Sequence, residues 1–292
     1  MSNTAFNRVI TSHPRVFDSN RYVYPVISRR SRGLSVGVNL NPDKICNFDC
    51  IYCQVDRQIA PQYRDVDLVI LESELRGLLE DAHSGVLFNH PTFKDIPPEL
   101  KRINDIAFSG DGEPTTYPQF GKVVHLASQI KTDLNLTDVK LIVITNCTRF
   151  HRPDILQALE EMHNNNGEIW AKLDAGTSAY YNLVERTKVG FETVIQNIHL
   201  AAQKWPLVLQ SLFMRIHDTG PSSDEINAYC NILTDVQKKG GKLKGVQIYT
   251  VARRPAESFV EPLTNLEVDA IASAVQQALP DVPVDVYYGA KP

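Results

Sequence analysis

The chain is short of the features that mark several large classes of protein. Five cysteines in 292 residues are too few for a secreted disulfide scaffold. No apolar run approaches the ~20 residues that a membrane helix needs, and Met1 to Phe17 has no apolar stretch of the kind a secretory leader carries. The expectation is a cytoplasmic protein that engages no membrane. Basic charge is not in excess either: 30 Lys and Arg stand against 34 Asp and Glu, a net charge of -4, so no global field draws nucleic acid to the chain. Repeats, low-complexity segments and long flexible linkers are also missing. What remains is a composition 43% hydrophobic and 22% charged, ordinary for a globular protein with a large core. The length suits one barrel of ~200–250 residues with short extensions.

Three of the five cysteines stand together as Cys46-Asn47-Phe48-Asp49-Cys50-Ile51-Tyr52-Cys53. Thiolates at CxxxCxxC spacing suit a soft metal or an iron-sulfur cluster. A structural zinc site is closed by four ligands, yet no other cysteine is near and the flanking histidines in sequence are His13 and His83. A four-iron cluster held by three cysteines leaves one iron free for a small molecule, which turns a structural cluster into a reactive one. The competing readings are a zinc-stabilised nucleic-acid-binding module with a distant fourth ligand, or three cysteines buried in a core. Cys147 and Cys230 read as ordinary buried or partly buried thiols.

This segment resembles the cluster loop of the radical S-adenosylmethionine (SAM) superfamily, whose CxxxCxxC motif has an aromatic residue before the third cysteine, the place of Tyr52. The resemblance implies a 4Fe-4S cluster on Cys46, Cys50 and Cys53, with SAM chelating the open iron. It implies reductive cleavage of SAM to a 5'-deoxyadenosyl radical that abstracts hydrogen from a substrate. A one-electron donor such as flavodoxin or ferredoxin is the implied partner.

From residue 34 the chain alternates short apolar runs with amphipathic stretches, the pattern of a parallel α/β architecture. Strands are expected at Leu34 to Leu40, Ile103 to Phe108, Lys140 to Thr145, Glu168 to Asp174, Val208 to His217 and Gly245 to Val251. Helical periodicity falls at Leu71 to Asp81, Phe120 to Ile130, Pro153 to Met162, Phe191 to Gln203 and Glu225 to Lys238, followed by a last helix near Leu266 to Leu279 and a strand near Val282 to Tyr288. The resemblance makes this a partial (β/α)6 TIM-type barrel with appendages: an N-terminal extension over 1–33 and a core domain over 34–292.

Parallel architectures place their chemistry at the carboxyl ends of strands. The second expected strand leads into Ser109-Gly110-Asp111-Gly112-Glu113-Pro114, which resembles the Gly-Gly-Glu motif that binds the methionine ammonium of SAM. Glycine lets backbone approach a ligand closely, and an ammonium needs acceptors. Gly110, Gly112 and Glu113 are therefore candidate SAM residues, with a plain turn as the alternative. Asn146, after the third strand, is a further SAM candidate or a local cap. Lys172 and Asp174 alternate onto one face of the fourth strand, where charge fits only at the mouth, and are SAM candidates or a buried ion pair. Ser211, Phe213, Arg215 and His217 share a face of the fifth expected strand. Arg215 has a fork of donors suited to a carboxylate or phosphate.

Asn41 to Cys46, Phe108 to Thr115, Lys172 to Ala175 and Thr250 to Arg253 together look like the group related to the wyosine-type tRNA-modifying synthases, which join pyruvate-derived carbons to a methylated guanosine of tRNA. Residues 1–45 contain none of the cysteines that hold those enzymes' second cluster. The expected function is hydrogen abstraction from an unidentified substrate, with RNA or a nucleoside as the leading class. An activase or a small-molecule-modifying enzyme is the alternative. Arg29, Arg30, Arg32, Arg253 and Arg254 are the groups through which a polymer's phosphates would be held.

Overall fold

A computed structural model describes residues 17–28 and 30–289. Arg29 and most of the expected extension lie outside the described residues. The chain divides into two compact units. The first comprises Met1–Cys46, Ala60–Ile144 and Asp154–Glu168, and the second Asn47–Ile59, Thr145–Pro153 and Ile169–Pro292.

The first unit is built on β1 (Val23–Ser28), β2 (Gly33–Val38), β3 (Ile103–Phe108) and β4 (Lys140–Thr145). β1 pairs antiparallel with β2, whereas β2, β3 and β4 run parallel. Leu34, Val36 and Val38 of β2 are buried on one face. On the other, Gly37 lies under the Tyr24 ring, and a Cβ there would come within 2.3 Å of it. The helices are α1 (Leu68–Ser84), α2 (Phe120–Asp133) and α3 (Pro153–Asn164). Asp67 caps α1 by accepting from the amides of Val69 and Ile70, which is why that helix begins ahead of its first core leucine, Leu71. β1 has no counterpart in the sequence expectations.

The second unit holds β5 (Gly167–Lys172), β6 (Leu207–Leu212), β7 (Met214–Ile216), β8 (Leu243–Tyr249), β9 (Val260–Pro262) and β10 (Val284–Tyr287), with α4 (Ser178–Glu185), α5 (Phe191–Lys204), α6 (Ser223–Lys238) and α7 (Asn265–Ala278). β5, β6, β8 and β10 are parallel in that order. All six residues of β6 are buried, as expected for a strand covered on both sides. Along the chain, β2 through β6 and β8 fall where the six strands are expected.

The expected fifth strand, Val208 to His217, is corrected. It stops at Leu212, and β7 turns away to pair antiparallel with β9. Phe213 donates its amide to the Tyr249 carbonyl, and His217 and Asp218 adopt positive φ of 48° and 63° in the tight turn that follows. Ser211, Phe213, Arg215 and His217 consequently do not share one face of a continuous strand: Ser211 bonds the Tyr229 hydroxyl, and His217 stacks on Phe259. The helix α4 and the ribbon β7–β9 are likewise absent from the sequence expectations.

Candidate radical SAM site

Within the first unit the end of β2, the glycine loop after β3 and Cys46 lie in one stretch of structure. Asn39 ties the first two together. Its side-chain oxygen accepts from the amides of Asn41 and Asp111, both at 3.1 Å, and its nitrogen donates to the Asp111 carboxylate at 2.7 Å. The glycines are demanded by this closeness. A Cβ on Gly110 would lie 2.2 Å from the Asn39 side-chain oxygen, and one on Gly112 would lie 2.2 Å from the Ile45 carbonyl and 2.9 Å from Asn41. The loop thus packs against the residue immediately before Cys46.

Glu113 is 3% exposed. Its Oε1 accepts from the Thr115 amide at 3.1 Å and from the Thr115 hydroxyl, so it caps the short 3-10 turn over Pro114–Thr116. Beside it, Asn41 is 8% exposed and its Oδ1 has no hydrogen-bond partner. A buried acceptor left unpaired costs about 1–3 kcal/mol, and such an atom asks for a bound donor. A glycine cradle with an unsatisfied acceptor fits the ammonium of an amino-acid-bearing cofactor. Asn41 escapes residue-by-residue reading because its significance depends on β3 arriving beside β2.

Within the second unit, Asn47 to Cys53 are held by three segments. Asp49 and Ile51 donate their amides to the carbonyls of Glu185 and Val184 at the end of α4, at 3.0 and 2.9 Å. The Thr187 hydroxyl donates to the Asn47 carbonyl at 2.8 Å, and Glu257 donates its amide to the Ile51 carbonyl at 3.2 Å. Asn146 donates to the Asn47 side-chain oxygen at 2.8 Å, while Asn47 donates to the Thr148 hydroxyl at 2.7 Å. Asn146 is thereby engaged in fixing the cysteine loop. Ile51 and Tyr52 are buried with Val184, Leu212, Met214, Tyr249, Val251 and Val260.

Tyr52, Lys172 and Asp174 form one network. The Tyr52 hydroxyl donates to Asp174 Oδ2, the Leu212 amide donates to Asp174 Oδ1 at 2.7 Å, and Lys172 Nζ lies 3.0 Å from Asp174 Oδ2. Lys172 also donates to the Tyr249 hydroxyl at 2.8 Å and sits over the rings of Tyr52 and Tyr249. Burial works against its charge, but Asp174, Tyr249 and Glu185 outweigh it and hold the ammonium above the ordinary lysine range. Burial, then Asp174, pushes the Tyr52 hydroxyl well upward. Burial, then Asp174, also pushes the Glu185 carboxyl far above the ordinary carboxylate range. Glu185 Oε2 has no partner, and the same carboxyl lies against Cys50, whose thiol is raised by burial first and by Glu185 second. Arg215 stands outside this network: it donates to the Asp218 carbonyl at 2.6 Å and pairs with Glu267 at 2.6 Å.

Cys46, Cys50 and Cys53 are partly accessible cysteines outside any disulfide, and Cys147 and Cys230 are buried. Among the described residues no three His, Cys, Asp or Glu side chains are gathered to hold a single metal ion. A cubane, which takes each thiolate on a different iron, requires no such gathering. The donor set, all sulfur and three in number, fits a cluster with one open iron.

The radical SAM superfamily model matches residues 40–218. The chain belongs to the radical SAM superfamily. It is a radical SAM enzyme with a 4Fe-4S cluster and SAM as cofactors, and its α/β fold is the partial barrel of that superfamily. A UPF0026 protein of Helicobacter pylori is 33% identical over 138 residues, covering 47% of this chain and 38% of the relative. A UPF0026 protein of Methanocaldococcus jannaschii is 30% identical over 131 residues, covering 45% and 34%. A Brachyspira hyodysenteriae protein described as GTPase Obg is 25% identical over 262 residues, covering 86% and 33%. The chain thus spans about a third of the length of these curated relatives. Two solved structures share the fold. TYW1 with a lysine-pyruvate adduct bound superposes with a TM-score of 0.54 at 14% identity, covering 94% of this chain and 81% of that one. Streptococcus suis SuiB bound to S-adenosylmethionine gives 0.59 at 9% identity, covering 90% and 52%. Among the described residues no helix is long and apolar enough to cross a membrane.

Proposed function

We propose that Cys46, Cys50 and Cys53 hold the cluster, that Gly110, Gly112, Glu113 and Asn41 receive the amino-acid end of SAM, and that the enzyme abstracts hydrogen from RNA or a nucleoside. The observation that carries the cofactor assignment is the pairing of a glycine cradle with the unsatisfied Asn41 acceptor, packed against the residue before Cys46. When bound, cluster and SAM supply one-electron cleavage to a 5'-deoxyadenosyl radical. The chain's own residues bind and orient. Glycine backbone admits the ligand, Asn41 accepts from its ammonium, and Glu113 fixes the turn that holds the glycines in place. Asn146 and Asp174 position the cysteine loop through Asn47 and Tyr52, and the apolar packing around Ile51 and Tyr52 keeps water from that side of the loop. Arg215 has no part in this assignment.

The substrate class rests on the motif resemblance to the wyosine-type group and on the fold shared with TYW1. A lysine adduct like that in the TYW1 structure is not assigned to Lys172, because an ammonium held by Asp174 and Tyr249 is not a nucleophile. The test is anaerobic incubation of the reduced enzyme with SAM and with separately deuterated RNA, protein and small-molecule fractions of a cell extract. Deuterium in 5'-deoxyadenosine from the RNA or nucleoside fraction is expected. Transfer from protein or small molecules alone would assign an activase or a small-molecule-modifying enzyme instead.

A further inference from the structure

Cys53 closes the cysteine loop, and its sulfur receives a hydrogen bond from Arg57 Nη1 at 3.2 Å. Arg57 is an exposed side chain, and its guanidinium reaches back to the thiol four residues earlier. A neutral thiol is a weak acceptor, whereas a thiolate bonded by a charged donor forms one of the stronger hydrogen bonds. The contact therefore matches the anionic, ligating form of the residue. Cys50, in contrast, lies against the carboxyl of Glu185. A cationic donor meets one cysteine of the loop and an acid meets another.

We infer that Arg57 tunes the cluster, its N–H···S bond to Cys53 favouring the reduced state and easing entry of the electron. Reduction adds one negative charge, part of which is carried by the thiolate sulfurs, so a donor on sulfur strengthens as the electron arrives. Hydrogen bonds to sulfur are among the determinants of cluster potential. Guanidinium keeps its charge throughout the accessible pH range, so Arg57 gives up no proton as the electron arrives from an external one-electron donor. Arg57 acts through Cys53 and is a positioning and tuning residue rather than a catalytic one. The inference rests on Cys53 being a cluster ligand, and it adds how the chain sets the ease of reduction.

The experiment is a dye-equilibrated redox titration of the anaerobically reconstituted full chain, read by electron paramagnetic resonance. Iron content of Cys53→Ala is measured first: if that variant holds a full cluster, the ligand assignment has failed independently of Arg57. Arg57→Gln is expected to lower the equilibrium constant for one-electron reduction about tenfold, a shift of about 59 mV to more negative potential. Arg57→Lys, which keeps charge and a donor, is expected to recover part of the shift. An Arg57→Gln cluster with unchanged potential would overturn the inference. Should Arg57→Gln load no iron, the unmodified chain grown with 15N-arginine decides the matter. A weak nitrogen coupling to the reduced cluster is expected, and its absence overturns the proposal.

Discussion

Asp174 shows how one side chain ties a cysteine loop to a strand. Its carboxylate accepts from the Tyr52 hydroxyl, 122 residues away in sequence, from the Leu212 amide and from Lys172, and its side chain is fully buried. Removing one member of a buried ion pair leaves the other without compensation, at a cost of about 3–5 kcal/mol. Asp174→Ala is expected to lose stability toward the lower end of that range, since the Lys172 side chain keeps 20% exposure. Urea denaturation measures the loss, and Asp174→Asn, which still accepts from Tyr52 or Leu212, should lose less. Equal stability of the alanine variant and the parent would remove Asp174 from this role. The cysteines give the complementary prediction. Cys46→Ala, Cys50→Ala and Cys53→Ala should each lose most of their iron and all SAM cleavage, whereas Cys147→Ala and Cys230→Ala, whose thiols lie buried elsewhere, should keep both. Iron analysis with a reductive cleavage assay separates the two sets. The three-cysteine spacing, the glycine loop and Lys172–Asp174 were all legible because each is a short string at the end of an apolar run. Asn41, Glu185 and Arg57 were not, because their neighbours are set by folding rather than by nearby sequence.

Among the elements, the parallel strands were readable because strands covered on both faces are predominantly apolar. The helix α4 was not. It is eight residues long with a short polar start, and an isolated helix of that length is unstable in water. Its support comes from α6. Glu225 is 4% exposed and accepts from the Gly176 amide, from the Thr177 amide at 3.4 Å and from the Thr177 hydroxyl at 2.6 Å, while Thr177 caps α4 through the Tyr180 amide. Gly176 is required there, because a Cβ would fall 2.2 Å from the Tyr229 amide nitrogen of α6. The far end of α4 carries the carbonyls that hold Asp49 and Ile51. Glu225→Ala should therefore cost about 1–3 kcal/mol through unpaired buried donors, and it should also loosen the cysteine loop. Hydrogen exchange is the check. Amides of Asp49 and Ile51 should exchange faster in the variant while those of β3 remain as protected as before. Unaltered exchange at Asp49 and Ile51 would uncouple α4 from the loop. The short ribbon β7–β9 escaped the sequence for a related reason, since three-residue strands are too brief to display a period of two.

For the molecule as a whole, composition and charge defined the class of fold but concealed where the charges lie. Asp105 sits in β3 at 1% exposure. Its Oδ1 accepts from the Ser35 hydroxyl, and its Oδ2 has no partner. Burial raises this carboxyl from 3.8 to about 6, against the opposing pull of Ser35, Ser31 and Lys140. Because the folded chain holds this proton more tightly than the unfolded chain, stability from this group is complete below pH 3.8 and is lost as pH rises through about 6. At neutral pH the buried carboxylate is then a standing cost of about 3 kcal/mol at most, from about two pKa units at 1.36 kcal/mol each. Asp105→Asn removes the titration while keeping an oxygen for Ser35. The stability of the variant relative to the parent should therefore climb by about 1–3 kcal/mol between pH 4 and pH 7, whatever the offset between them at pH 4. Urea midpoints of both chains across that range measure it. Two curves that stay parallel would mean that Asp105 is charged in the folded protein with no penalty, and that the burial of β3 exacts nothing from its one acid.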